Sequence, residues 1–141
     1  MAQKFAHVVI LPLLLASLLA TLPASRANGQ GLPLRSQQYL GDAQHLAAVL
    51  GKAHGVRYAC KGKHDQYWRK HMIELLDLEA PDRGALRDSL VRAFNNAFKR
   101  TRSRFPLCTT ETVEAEATYA AEGREIADRM AAYYFPKPGR N

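Results

Sequence analysis

Between residues 36 and 134 apolar side chains recur every three or four positions, and clusters of Gly, Pro, Asp or Thr interrupt them three times. That pattern predicts four helices and no strand. In the first helix Leu40, Ala43, Leu46, Ala47, Leu50 and Ala53 form one stripe, with Ser36 as N-cap and an end near Gly55 and Val56. Residues 55–64, which include Cys60 and Gly62, read as a connecting loop. Asp65 then suits the N-cap of a second helix, whose Trp68, Met72, Leu75, Leu76 and Glu79 stripe is apolar except at its end. Pro81 and Asp82 stop it. A third helix carries Leu86, Leu90, Ala93, Phe94, Ala97, Phe98 and Phe105, and this aromatic density makes it the expected centre of the core.

Pro106 ends the third helix, and Thr109 or Thr110 caps a fourth, with Glu111 and Glu114 placed where a helix N-terminus favours negative charge. The fourth helix has two apolar stripes. Val113, Ala117, Ala120, Ala127, Ala131 and Tyr134 form one, and Tyr119, Ile126, Met130 and Tyr133 the other. One is expected to face the core, leaving the other as flank or contact surface, so that residues 110–134 offer a route to a homo-oligomer.

The start of the chain changes the compartment. Lys4 precedes a charge-free apolar run over residues 8–20, and small side chains at Ser25 and Ala27 follow, as in a signal peptide cleaved after Ala27. The thirteen residues of the run fall short of the ~20 that a spanning helix needs, and Pro12 and Pro23 weaken a longer one. An uncleaved anchor is the alternative. The expected organisation is a signal peptide at 1–27, a flexible leader at 28–35, a helical domain at 36–134 and a C-terminal tail at 135–141, giving a periplasmic protein with no transmembrane span after processing.

Two cysteines in an exported domain, with none left over, are expected to form one disulfide between Cys60 and Cys108. No Cys-x-x-Cys spacing points to redox work. In an up-and-down arrangement the first and third connections lie at the same end, where the expected loops place both cysteines. The sequence therefore predicts an all-α fold, a four-helix up-and-down bundle clamped by one disulfide.

The formal charge is +7, and losing Lys4 and Arg26 leaves +5. Lys52, Arg57, Lys61 and Lys63 surround the first connection, while Lys99, Arg100, Arg102 and Arg104 finish the third helix, so the disulfide end should be basic. Cations there complement helix dipoles and can be offset by Glu111 and Glu114; the sharper reading is a surface for an acidic envelope component or acidic protein partner. Nucleic acid is not an expected partner for an exported protein.

Catalytic and cofactor patterns are missing. The mature serines lack a Gly-x-Ser-x-Gly setting, no Gly-rich phosphate loop is present, and His64 and His71 lie about 10.5 Å apart along a helix, too far to share a metal unaided. No metal or cofactor is assigned. Trp68, flanked by Tyr67 and Arg69, is a candidate for stacking on a ligand, with burial in the core as the default. Asn95, on a helix that buries phenylalanines, is expected to tie a neighbouring connection to the bundle. The function read from these features is non-enzymatic binding through the basic end or the outer stripe of the fourth helix. An envelope enzyme with a site assembled across helices is the alternative.

Residues 50–60, Trp68-Arg69 with Met72 and Leu75-Leu76, Glu79-Ala80-Pro81, Ala93-Phe94-Asn95, Cys108-Thr109 and Ala121-Glu122-Gly123 occur in an order that resembles a family of small secreted proteins of unknown function found in alphaproteobacteria. The likeness runs from about Leu40 to Tyr134. It implies an envelope location and a retained cysteine pair, and supplies no reaction. Where the family's members often carry Gly and Tyr in an Asn-x-Gly-Tyr stretch, this chain has Ala97 and Phe98, which weakens any hydroxyl-based role there.

Overall fold

The structure is a computed structural model that describes residues 34–135. The expected signal peptide, all but the last two residues of the leader, and the tail beyond Phe135 lie outside the described residues. Four helices are present: α1 (Gln37–Lys61), α2 (Tyr67–Glu79), α3 (Ala85–Arg104) and α4 (Thr110–Tyr134).

The first helix runs past its expected end. Gly55 and Val56 are buried inside α1, which stops only at Gly62, whose φ of 76° suits glycine. The reason lies in Ala43, Ala47, Gly51 and Gly55, four small residues one turn apart that let α3 approach closely. A Cβ on Gly51 would collide with the Phe94 carbonyl, and one on Gly55 would sit 2.9 Å from the Thr101 Cβ. Read locally, Gly55 punctuates the chain; in the fold it joins Gly51 in a contact strip. Cys60 therefore belongs to the last turn of α1 rather than to a loop.

That strip also corrects the expected centre. The hub is α1, not α3: α1 touches the three other helices, whereas α4 has no Cα within 8 Å of α2 or α3. The contacts fix the directions. Gly51 meets Phe94 and Gly55 meets Thr101, so α1 and α3 run parallel, while Arg57 pairs with Glu116 and Asp42 with Arg129, so α4 runs back along α1. Leu90, Ile126, Val49 and Val56 are the largest fully buried apolar side chains, each stabilising the fold by roughly 2 kcal/mol.

Helix ends follow their own chemistry. Ser36 accepts from the Tyr39 N–H at 3.1 Å as the α1 cap. Gln66, not Asp65, is the α2 N-cap residue, yet Asp65 still accepts from the Tyr67 N–H at 3.1 Å from one position further out. Arg35 and Arg87 donate to the Glu79 and Ala80 carbonyls at 2.6 and 2.7 Å, satisfying the end of α2. Thr109 caps α4 in a reciprocal box with Thr112, whose buried hydroxyl also donates to the Leu107 carbonyl at 2.8 Å. This fixes the connection holding Cys108, which is bonded to Cys60 with their Cα atoms 4.6 Å apart. The fold is thus all-α, with four alternating helices clamped by one disulfide.

Candidate functional site

Around α1 the helices are unevenly spaced, because α3 is drawn in by the glycine strip while α2 and α4 stay apart. The space between them is a groove of about 530 Å³, floored by Leu46, Val49, Leu50 and Ala53 of α1. Its α2 wall is Tyr67, Trp68, His71, Glu74, Leu75 and Leu78, and its α4 wall is Tyr119, Ala120, Gly123, Arg124 and Ala127. A second depression of about 490 Å³ shares Leu46, Leu75, Leu78 and Ala127 and extends to Tyr39, Met130, Ala131, Tyr134 and Phe135, with the Arg35–Glu79 ion pair at its far end. The two form one apolar track. Leu78 and Phe135 are 75% and 79% exposed, unusual for large apolar side chains beside such a track.

At the disulfide end side chains cross from α2 to α4. Trp68 is half-buried, its ring packed against the core, and its Nε1–H donates to Glu116 Oε1 at 2.8 Å. Arg57 donates to the same oxygen at 3.0 Å and to Asp65 Oδ1 at 2.8 Å, with its guanidinium over the Tyr67 ring. These bonds, Asp65 foremost, hold the Arg57 pKa above its ordinary value, and the Arg57 contact holds the Asp65 carboxyl below the usual range. Trp68 is therefore both core and groove wall, a case that a choice between burial and stacking did not contain. Further along, Lys52 and His45 approach the two oxygens of Glu122 at 3.4 and 2.9 Å.

The expected basic cluster divides. Lys52 and Arg57 are paired with carboxylates of α4 and do not belong to an open cationic surface. Lys61, Lys63, Lys99, Arg100, Arg102 and Arg104 have no acidic side chain within 4 Å among the described residues, though Arg102 lies over the Tyr58 ring and Arg104 over Phe105. All six are solvent-facing, the four on α3 within its last two turns. Glu111 and Glu114 are exposed and pair with none of them; the offsetting acids are Asp65, Glu116 and Glu122. Asn95 is also exposed, on the outer side of α3, and ties no connection to the bundle.

Both α4 stripes are now placed. Ile126 and Met130 are buried on α1 with Tyr119 and Tyr133 beside them, whereas Val113, Ala117, Ala127 and Ala131 are exposed and the last two line the track. The sequence signalled an outer stripe on α4 but not the α2 wall facing it. Among the described residues no three His, Cys, Asp or Glu side chains gather to hold a metal, and no helix is long and apolar enough to cross a membrane.

Residues 38–134 match the sequence model of one family, described as a protein of unknown function, DUF2385. No curated protein and no solved structure matches the chain.

Proposed function

The chain belongs to that family of unknown function, DUF2385, and on this premise we propose that it is an exported, non-enzymatic binding protein that holds an apolar ligand in the groove between α2 and α4. One observation carries the reading: two helices of a small domain stand apart over an apolar floor when closing the gap would bury Leu46, Leu78 and Tyr119. An apolar channel of about 530 Å³ is within the size range of small-molecule sites. Trp68, Tyr67 and Tyr119 supply rigid aromatic wall, and the polar groups nearby mostly satisfy one another, which suits holding a ligand better than transforming it. Export is supported by the charge-then-apolar start of the chain and by the Cys60–Cys108 bond, which fits the oxidising periplasm.

Titration with the neutral fluorescent probe N-phenyl-1-naphthylamine tests this. Saturable uptake at one probe per chain, abolished by Ala127→Trp with melting temperature and helicity retained, is the expected result. Unsaturable uptake, or uptake indifferent to Ala127→Trp, overturns it. A second reading is favoured by the six unpaired cations near the disulfide, which suit an acidic envelope surface. Retention on phosphatidylglycerol vesicles at low salt, lost when Lys99, Arg100, Arg102 and Arg104 are reversed to Glu, would support that surface; equal retention by the reversed protein would exclude it.

A further inference from the structure

We propose that the groove selects a long-chain carboxylate, with Arg124 holding the head group and the track toward Phe135 covering the tail. This rests on reading the groove as a ligand site and adds the chemistry of its occupant.

Charge along the groove is the starting point. Lys52 is offset by Glu122, Arg57 by Asp65 and Glu116, and Arg35 at the far end by Glu79 at 3.3 Å, while the Glu74 carboxylate on the α2 wall is bonded to the His71 ring at 2.8 Å. Arg124 is left. It lines the groove from α4 and has no carboxylate within 4 Å among the described residues. An apolar groove with one guanidinium unpaired on its α4 lip, and its Glu74 carboxylate tied to His71 on the α2 wall, is complementary to an apolar body whose negative charge sits on the α4 side. Because a guanidinium presents two parallel N–H donors, a planar carboxylate fits it better than a hydroxyl or a neutral amide.

Shape then selects the body. From Arg124 the α4 wall continues through Ala127 and Ala131 to Tyr134 and Phe135, small side chains followed by rings, with Leu46 and Leu78 opposite. Eleven residues of helix span about 16 Å, a length that one extended alkyl chain would follow.

Trp68 fluorescence and calorimetry with dodecanoate and 1-dodecanol, both below their aggregation concentrations, test this. Dodecanoate should bind about tenfold tighter or more, the scale of one charge-assisted contact at a partly screened site. Arg124→Gln should reduce that preference to within about twofold by weakening dodecanoate alone, Arg124→Lys should restore part of it, and Ala127→Trp should abolish both ligands. Equal affinity of acid and alcohol, or a preference unchanged in Arg124→Gln, overturns the carboxylate assignment while leaving the groove a ligand site. Binding of neither, with a concentration-dependent dimer broken by Ala127→Trp, overturns both and gives the groove to a second copy.

Discussion

Trp68 and Glu116 are 48 residues apart in sequence, yet the indole N–H of one donates to a carboxylate oxygen of the other at 2.8 Å, joining two helices whose backbones do not meet. The contact matters because the same oxygen holds Arg57 at 3.0 Å. A single carboxylate thus satisfies one donor from α1 and one from α2.

Removing that carboxylate leaves two half-buried donors without their partner. Trp68→Phe should cost about 1–2 kcal/mol and Glu116→Ala at least as much, as expected for hydrogen bonds to a charged group. In a double-mutant cycle by urea unfolding the two should be coupled by about 1 kcal/mol. Because Trp68 is the only tryptophan, a red-shifted emission in Glu116→Ala reports its release directly.

Two glycines of α1 should respond to alanine with opposite sign. Gly41 has open space where a Cβ would go, so Gly41→Ala should stabilise by roughly 0.5–1 kcal/mol through helix propensity. At Gly51 the new methyl meets the Phe94 carbonyl, and separating α1 from α3 to admit it should cost about 2 kcal/mol or more despite the same propensity gain. Melting temperatures of the two variants check this.

His54 is buried between the Phe94 and Phe98 rings, its Nδ1 without a protein partner. Burial, aided by the Arg69 charge and opposed by Asp65, lowers its pKa below the ordinary 6.5. The folded protein therefore resists a proton that the unfolded chain accepts. Its contribution is intact above pH 6.5 and is lost progressively as pH falls through the depressed folded value. Urea midpoints measured from pH 7.5 to 5 should decline more steeply for the native protein than for His54→Phe.

Material taken from the periplasm should have a mature chain beginning at Asn28 and no alkylatable thiol. The Cys60–Cys108 bond closes a separation of 48 residues, which in the chain-entropy model corresponds to roughly 4 kcal/mol. Replacing both cysteines by serine should therefore lower stability by about 2–4 kcal/mol with helicity kept. Intact mass and denaturant unfolding read both outcomes, and a retained leader or free thiols would refute the proposed compartment.

What the sequence by itself determined is the local layer. The 3.6-residue spacing of Leu, Phe and Ile, the caps at Ser36 and at Thr109 or Thr110 and the solitary cysteine pair specify four helices and one bond, because each depends on residues within a few turns or on simple pairing. Tertiary structure alone decided which helix is central, which cations are spent and where a ligand would lie. Gly55 looks like a helix end until α3 is seen lying on it and on Gly51, since an absent side chain gives no signal in a pattern of polarity. Arg57 looks like part of a basic patch until Glu116, 59 positions away, is brought to it. The groove belongs to the spacing between α2 and α4, set by how closely other helices pack, and no residue within it records that distance.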